Sequence, residues 1–345
     1  MHTWGQSIGR LSSFLYPNRS VVHGIVVKGL IDVSKGCMVI ARIKCLQRNG
    51  GKRMFRLHPG DQIGIVACSD ALPRQEEGRI RELSRILTRM GLVPVFSDHI
   101  FEPSGTRFIE AGLRADALMR FYADPSIKAI FDISGGNLAN ELLPLLDYPL
   151  IKGSQKPFWG YSDLSTIINA IYTMTGNTSY LFQVKTLTWE HGGQQELLFQ
   201  QSLLEGKDAL YRVDWDFVQG EHMEGVVIGG NTRCFLKLAG TPYMPDFSDK
   251  ILFLESLGGG KPELITYLNQ LKQMGAFQKI SGLLLGTFTK FEEKESPSDL
   301  TKLVQAAVGD PALPIAKTQQ IGHGSQSRCF IIGTHYDLYK TKPME

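Results

Sequence analysis

The chain lacks the residue patterns that define several classes of protein. It has no apolar run of the roughly 18 residues that a membrane-spanning helix needs. Its five cysteines are an odd number without paired spacing, which argues against a disulfide framework. Neither a CxxC nor an HExxH motif occurs, so no metal and no cofactor is predicted. These features predict a cytoplasmic protein with reduced thiols and no membrane partner.

Excess positive charge is confined to the amino-terminal end. Residues 1–56 carry ten Lys or Arg against one acid, although the formal net charge of the whole chain is only +3. A basic segment can indicate nucleic-acid binding, but the rest of the chain is acidic, so no nucleic-acid partner is predicted. Met54 opens a stretch that reads like a natural start before a first strand. We therefore interpret residues 1–53 as a basic extension that is disordered or not native.

Strands and helices alternate over residues 62–176, which predicts a parallel sheet covered by helices on both faces. Short apolar runs mark the strands, and apolar residues at helical spacing mark the helices. The predicted strands are 62–68, 92–98, 126–134 and 157–161, and the predicted helices are 74–91, 106–122, 138–147 and 163–176.

The length of 345 residues predicts two domains, because single cores rarely grow that large. We predict an α/β fold with a three-layer parallel-sheet domain over residues 54–185. A polar connector rich in Gln and Glu follows at residues 186–210. Residues 211–345 are then predicted to form a smaller mixed α/β domain that is rich in strands.

Ser162 is the first candidate for chemistry, in the stretch Phe158-Trp159-Gly160-Tyr161-Ser162-Asp163. A serine between the end of a buried strand and the start of a helix occupies a sharp turn that exposes its hydroxyl. The helix N-terminus beyond it offers unpaired N–H groups that suit an oxyanion. A serine at this position is also a common helix N-cap, and local sequence alone does not separate the two interpretations.

Gly135, Gly136 and Asn137 form a second candidate site at the end of the third predicted strand. Two glycines allow the backbone to approach a ligand closely. Ligands of open α/β sheets bind at the carboxyl ends of the strands, so this turn and Ser162 are predicted to face one crevice. The N–H of Gly136 would then pair with that of Asp163. The alternative is an ordinary strand-to-helix turn.

A nucleophilic serine needs a base and an orienting acid. Composition does not choose among the eight histidines. His323 lies in a loop between two predicted strands, where a reachable base would sit, whereas His335 falls within a strand pattern and is interpreted as structural. Glu255 ends a buried strand and would point into a cleft there, although the spacing alone favours a solvated loop acid.

Several blocks along the chain, in the same order, resemble the LD-carboxypeptidase family. This family includes the bacterial muramoyltetrapeptide carboxypeptidases and the microcin C immunity peptidases, and the resemblance covers about residues 57–340. The blocks are ISGGNLANELLPLLDYPLI, KPFWGYSDLSTIINAIY, GVVIGGNTRCFLKLAGTPYMPDF, KILFLESLGGG, ISGLLLGTF and IGHG.

The resemblance implies a serine-type hydrolase with Ser162 as nucleophile, Glu255 as triad acid and His323 as base. It further implies oxyanion donors at the N–H groups of Gly136 and Asp163, and a homodimer that needs no metal. The bond it implies is the L,D-amide before the terminal D-Ala of a murein tetrapeptide. The predicted function is therefore that of a cytoplasmic LD-carboxypeptidase in peptidoglycan recycling, with a peptide or muropeptide substrate.

Two alternatives stay open at this point. One is a peptidase similar to the microcin C immunity proteins, which would cleave peptidyl or aminoacyl nucleotide analogues; Trp189 would then be a candidate to stack on a nucleobase, although an isolated Trp is more often packing. Gly135 and Asn137 are the other predicted substrate-binding residues. The second alternative is a non-catalytic binding protein on the same fold, which predicts a missing triad residue.

Overall fold

The fold is built on two β-sheets with helices packed around them. The computed structural model describes residues 55–103 and 108–340, together with the backbone of residues 39–42. The strands in chain order are β1 Val39–Arg42, β2 Gln62–Val66, β3 Val93–Phe96, β4 Ile127–Asp132, β5 Phe158–Gly160, β6 Ser179–Leu181, β7 Asp214–Gln219, β8 His222–Asn231, β9 Lys250–Ser256, β10 Gly282–Phe288, β11 Ile315–Lys317, β12 Phe330–Ile332 and β13 His335–Tyr339.

Nine α-helices connect these strands within the described residues, and none of them is both long enough and apolar enough to cross a membrane. They are α1 Glu77–Arg89, α2 Ala111–Ala123, α3 Tyr148–Ser154, α4 Ser165–Thr175, α5 Gly192–Phe199, α6 Thr232–Leu236, α7 Lys261–Gln273, α8 Thr289–Glu292 and α9 Pro297–Val308. Short 3-10 helices cover Arg74–Glu76, Ala139–Leu145, Ser162–Leu164 and Val184–Thr188, and a π-helical turn covers Gln200–Leu204.

The first sheet has the strand order β12-β6-β5-β4-β2-β3, and all of its strands except β12 are parallel. Its two faces pack against different helices. Ile63 and Ile65 of β2 pack in one core with the buried stripe of α1, whereas Val66 packs in another with α2 and α4. The predicted three-layer α/β arrangement is therefore confirmed for this half of the chain.

The second sheet closes into a barrel with the order β1-β13-β8-β9-β10-β11-β7. The strands from β8 to β11 pair in parallel, and the remaining pairs are antiparallel. The runs of β9 and β10 are apolar almost throughout, as expected for strands whose two faces are both covered. This sheet is the mixed, strand-rich architecture that the sequence predicted.

Two strands occupy places that local sequence did not reveal. β12 lies late in the chain but pairs antiparallel with β6, so it extends the first sheet. β1 lies within the predicted extension of residues 1–53 and pairs with both β13 and β7. The rest of that extension falls outside the described residues. The division into domains at residues 54–185, 186–210 and 211–345 stays a prediction.

One predicted helix differs in type from the observed one. Residues 138–147 are predicted to form a short helix. The helix that the structure has there, Ala139–Leu145, is of the 3-10 type, with Pro144 inside it. Proline has no N–H to donate and its ring crowds the preceding turn, which disfavours a regular α-helix at this point.

Neighbouring carboxyl ends of strands position the candidate residues. β2, β4 and β5 are adjacent in the first sheet, and the chain segments that follow them carry Ser69, Gly136 and Ser162 in turn. In the second sheet, Asn231 at the end of β8 lies in register with Glu255 near the end of β9. Parallel pairing thus brings each group to one edge of its sheet, where open α/β sheets bind ligands.

Candidate active site

Ser162 occupies a strained turn between β5 and α4. It adopts a left-handed backbone conformation with φ of +57°, which is uncommon for a residue other than glycine. The turn is tight, because a Cβ atom added at Gly160 would lie only 2.7 Å from Cβ of Leu164. A short 3-10 helix follows directly and leads into α4. This geometry fits the predicted serine elbow, in which a hydroxyl is presented at the edge of a sheet.

Glu255 and His323 form a buried pair. His323 Nδ1 lies 2.8 Å from Glu255 Oε2, and the carboxyl group is fully buried while the imidazole is about one tenth exposed. The second carboxylate oxygen, Oε1, accepts a hydrogen bond of 3.0 Å from Asn231 Nδ2. The other ring nitrogen, His323 Nε2, is buried and has no hydrogen-bond partner in the described part of the chain. It is therefore available to accept a proton.

Tyr161 connects this pair with the serine elbow. Its ring meets the His323 ring edge to face, with 5.0 Å between the centroids and an interplanar angle of 68°. Tyr161 immediately precedes Ser162, so the imidazole packs directly beside the elbow. The Tyr161 hydroxyl lies near the Glu255 and Ser327 side chains, without a hydrogen bond of regular geometry among the described residues. Burial, and then the nearby Glu255 carboxylate, raises the pKa of Tyr161 well above its ordinary value.

The Gly135–Asn137 turn is held on Asp70. Gly136 has φ of +124°, and a Cβ atom there would lie 2.2 Å from Cγ of Asp70, so only glycine fits. The Asp70 N–H donates to Gly135 O over 3.2 Å, and Asp70 Oδ1 accepts from the Asn137 N–H over 2.8 Å. The Gly136 N–H is left without a protein acceptor in the described region.

Asp163 has a buried carboxylate that ties several segments together. Oδ2 accepts from Ser69 Oγ over 2.7 Å and from the Ala139 N–H over 2.9 Å. Oδ1 accepts a short hydrogen bond from Lys237, whose side chain comes from the second half of the chain. The main-chain N–H of Asp163 has no acceptor among the described residues. The side chain is thus structural, while the backbone N–H remains free to donate.

Sequence reasoning missed three polar residues that lie around the site, namely Asn231, Arg233 and Lys237. Asn231 caps α6, because its side chain accepts from the Cys234 N–H over 3.3 Å. A detectable pattern was present: Gly-Gly-Asn ends the strand β8 at residues 229–231, and the same three residues come shortly after β4 at 135–137. Arg233 and Lys237 carry no comparable local pattern, since their partners lie about 100 positions earlier in the chain.

The connector packs on the loop that carries His323. Gln195 is almost fully buried, and its Nε2 donates to Ser325 O and Ser327 O, each over 3.0 Å. His191 Nδ1 lies 2.8 Å from Ser325 Oγ. Trp189, the predicted stacking residue, is half-buried at the end of a 3-10 helix in this connector. The connector therefore borders the loop of His323, the predicted base.

One group among the described residues could ligate a metal ion: His222, Glu224 and Asp337, whose ligand atoms lie within 4.8 Å of one another. Asp337 is already engaged there, by His222 Nε2 at 3.0 Å and by the Tyr339 hydroxyl at 3.2 Å. The group lies at the start of β8, whereas Asn231 ends that strand. At the rise of an extended strand, the two ends are about 30 Å apart. This cluster is remote from the His323–Glu255 pair.

Comparison with known proteins covers both halves of the described chain. Residues 63–181 match the LD-carboxypeptidase N-terminal domain, and residues 224–338 match the LD-carboxypeptidase C-terminal domain. The chain belongs to the LD-carboxypeptidase family. The two matches cover, respectively, the serine elbow with its Gly135–Asn137 turn and the Glu255–His323 pair.

Individual relatives carry two kinds of name. A probable murein peptide carboxypeptidase of Bacillus subtilis is 26% identical over 80% of this chain and 88% of its own length. The microcin C7 self-immunity protein MccF of Escherichia coli is 26% identical over 69% of this chain and 81% of its own length. The crystal structure of an MccF-like protein from Bacillus anthracis superposes with a TM-score of 0.73 at 27% identity, over 85% of this chain and all of that one. The chain is therefore a member of a peptidase family whose relatives are named for murein peptides or for microcin immunity.

Proposed function

We propose that the protein is a serine LD-carboxypeptidase with Ser162 as nucleophile, His323 as general base and Glu255 as the acid that orients the base. The buried, unpaired Nε2 of His323 carries the proposal. Its Nδ1 is engaged by Glu255, so Nε2 is the only ring nitrogen left for proton transfer. An unpaired buried nitrogen is costly unless a functional partner meets it, and the serine elbow lies beside the ring.

The reaction is amide hydrolysis through an acyl-enzyme. Ser162 Oγ attacks the scissile carbonyl carbon while its proton passes to His323 Nε2. The C–N bond then breaks, and the imidazolium returns that proton to the leaving amine. Water, activated by the same imidazole, attacks the ester and frees Ser162. Glu255 stabilises the imidazolium in both steps, and its burial keeps that interaction strong.

The negative charge that develops on the carbonyl oxygen during the reaction is stabilised by hydrogen-bond donors that are already in position before the attack. We assign this role to the N–H groups of Gly136 and Asp163, which have no protein acceptor in the described region. The Asp163 N–H also lies at the N-terminal end of a helix, where the backbone dipole favours negative charge. Two such donors supply the preorganised stabilisation that acyl transfer requires.

Murein peptides are the substrate class we favour. The support is the family membership and a relative named for murein peptide carboxypeptidase activity. In this proposal the enzyme releases the terminal D-Ala from a murein tetrapeptide. Gly135 and Asn137 flank the oxyanion donors and remain the proposed substrate contacts on that side of the cleft.

Product analysis tests this proposal. A purified muropeptide mixture is incubated with the wild-type protein and with Ser162→Ala, and the products are analysed by mass spectrometry. The wild type is expected to convert tetrapeptides into tripeptides plus free D-Ala, and the variant is expected to lose several orders of magnitude in rate. Unchanged tetrapeptide with the wild type would refute the substrate assignment.

A second candidate is a microcin-immunity-like peptidase that cleaves peptidyl or aminoacyl nucleotide analogues. It is favoured by the similarity to the MccF proteins and by the position of Trp189 in a connector that borders the base loop. Hydrolysis of an aminoacyl sulfamoyl adenosine, weakened by Trp189→Ala but not by Trp189→Phe, would support it. Equal rates for all three proteins would remove Trp189 from substrate binding.

A cytoplasmic location and a homodimeric state remain predictions. The described cysteines, Cys68, Cys234 and Cys329, are all free and buried, which is consistent with a reducing compartment. Light scattering of the purified protein gives the oligomeric state directly. The non-catalytic alternative predicted a missing triad residue, and all three proposed residues are present in the chain.

A further inference from the structure

One short segment in the second half of the chain contacts three parts of the proposed site: the triad acid, the Gly135–Asn137 turn and the serine elbow. The segment runs from Asn231 to Lys237 and contains α6. At its start, the Asn231 side chain donates to Glu255 Oε1 over 3.0 Å. Further along, Arg233 and Lys237 reach across to the Gly135–Asn137 turn and the serine elbow. A single element thus bridges the acid and both oxyanion donors.

Lys237 binds two of these parts at once. Its Nζ donates to Asn137 O over 2.7 Å and makes a short ion pair with Asp163 Oδ1. The Asp163 carboxylate is fully buried and the Lys237 side chain is 18% exposed, so water screens this pair weakly. Lys237 therefore links the turn that carries the Gly136 donor to Asp163, whose own N–H is the other proposed donor.

Arg233 holds the same turn through a two-pronged contact. Its two terminal nitrogens donate to Gly136 O and to Asn137 Oδ1, each over 2.8 Å. The planar guanidinium presents both donors in a fixed fork, which restricts the turn more than a single bond would. Arg233 is half-buried, so part of it also lines the open side of the turn.

Two successive peptide groups of the turn are thereby bonded at both ends. The first has its carbonyl, Gly136 O, on Arg233 and its N–H, that of Asn137, on Asp70. The second has its carbonyl, Asn137 O, on Lys237. Its N–H, that of Leu138, donates to Ser69 Oγ over 3.3 Å. In each case the carbonyl accepts from a residue of the Asn231–Lys237 segment, and the N–H donates to a residue in the first half of the chain.

These contacts also determine where the donors point. The Gly136 N–H shares a peptide group with Gly135 O, which accepts from Asp70. The Asp163 N–H shares one with Ser162 O, which accepts from the Ser165 N–H. N–H and C=O point in opposite directions across a trans peptide, so each donor is directed away from these bonds. These bonds set the direction of each donor but not the distance between the two donors. Lys237 fixes that distance, because it binds both segments.

We infer that Lys237 and Arg233 are positioning residues that set the two oxyanion donors in register with the triad acid. The inference deepens the proposed function and rests on it. Neither cation reaches the reacting atoms in this role; both act through the turn and through Asp163. A misplacement of about 1 Å at such a site costs about 100-fold in rate, which sets the expected effect.

Kinetics of Lys237→Met and Arg233→Gln test the inference, with Lys272→Met on the exposed face of α7 as the matched control. Both site variants are expected to lose about 100-fold in kcat while KM changes less than about twofold. A peptide boronic acid, whose tetrahedral boronate occupies the oxyanion position, should lose affinity by a similar factor. The control should match the wild type.

A rise in KM at unchanged kcat would mean that the cations bind substrate, and it would overturn the inference. Wild-type kcat and boronate affinity in both variants would also overturn it. If Lys237→Met does not fold because Asp163 keeps an unpaired buried charge, the pair Lys237→Met with Asp163→Asn removes both charges and is measured instead.

Phosphonylation of Ser162 separates this inference from the proposed function. When a fluorophosphonate reacts with the serine, its phosphonyl oxygen occupies the same position between the two N–H donors as the substrate's carbonyl oxygen. The reagent does not, however, depend on recognition of a peptide. If the wild type labels rapidly and the variants label about 100-fold more slowly, the positioning role stands even where no muropeptide is hydrolysed. Equal labelling rates would contradict the positioning role, whatever the substrate.

Discussion

Asn231 and Glu255 lie opposite each other on adjacent parallel strands, and the Asn231 amide donates to Glu255 Oε1 over 3.0 Å. The opposite carboxylate oxygen is 2.8 Å from His323 Nδ1. Each oxygen of the buried acid therefore has one partner, and the carboxyl plane is fixed between an amide and an imidazole. This relationship explains how a fully buried carboxyl group is held in one orientation with both of its oxygens engaged.

Asn231→Ala should lower kcat about tenfold. The substitution leaves Glu255 Oε1 buried without a donor, and losing one hydrogen bond to a charged group costs about 1.5–3 kcal/mol. Steady-state kinetics on a tetrapeptide measure the effect. Asn269→Ala is the control, because that exposed amide bonds only within its own helix. Unchanged kcat in Asn231→Ala would show that His323 alone orients the acid.

Tyr161→Phe should retain wild-type activity, whereas Tyr161→Ala should lose most of it. The aromatic ring supports the imidazole, whereas the hydroxyl lies near Glu255 and Ser327 without a hydrogen bond of regular geometry among the described residues. The raised pKa of Tyr161 means that the phenol stays neutral at least up to its ordinary value near pH 10. The pH–rate profiles of Tyr161→Phe and the wild type should thus coincide from about pH 5 to about pH 10. If the rate of the wild type falls at alkaline pH and that of Tyr161→Phe does not, the phenol of Tyr161 is the group that titrates.

Gln195→Ala should loosen the loop that carries His323. It removes both hydrogen bonds that Gln195 makes to the carbonyls of Ser325 and Ser327. We expect faster amide hydrogen exchange over residues 322–328 and a fall in kcat of about tenfold, comparable with losing buried hydrogen bonds. Gln273→Ala, at an exposed position at the end of α7, should change neither quantity. Unaltered exchange in Gln195→Ala would show that the loop is held elsewhere.

Chelation should not affect hydrolysis. The proposed reaction uses three protein side chains, two backbone N–H groups and a water molecule, and the His222 cluster lies about 30 Å from the acid by strand rise. Rates measured with and without EDTA should therefore agree. Inhibition by EDTA that added zinc reverses would contradict the serine mechanism.

The sequence predicted the parts of the site that depend on local order. A strand, a tight turn and a helix in succession predict the turns at Ser162 and Gly136, although the same pattern also fits a helix N-cap and an ordinary turn. The roles proposed for Ser162, Glu255 and His323 required the family resemblance, since an acid at a strand end and a histidine in a loop have many other uses. Local sequence does not give the distances between these residues.

Long-range pairing accounts for what the sequence did not reveal. β12 joins a sheet whose other strands end 149 or more positions earlier, and no short-range pattern encodes that pairing. The cations Arg233 and Lys237 look like solvated helix residues until their partners at Gly136 and Asp163 are placed beside them. Pairings of this kind depend on how the two sheets pack together.

The most direct test of the central claim is to map the covalent adduct that forms on the protein. The wild-type chain is treated with a fluorophosphonate, digested, and examined by mass spectrometry, alongside Ser162→Ala, His323→Ala and Ser165→Ala. We predict a single adduct on Ser162, its absence in Ser162→Ala, its strong retardation in His323→Ala, and its persistence in Ser165→Ala. An adduct on another residue, or hydrolytic activity that survives in Ser162→Ala, would contradict the account.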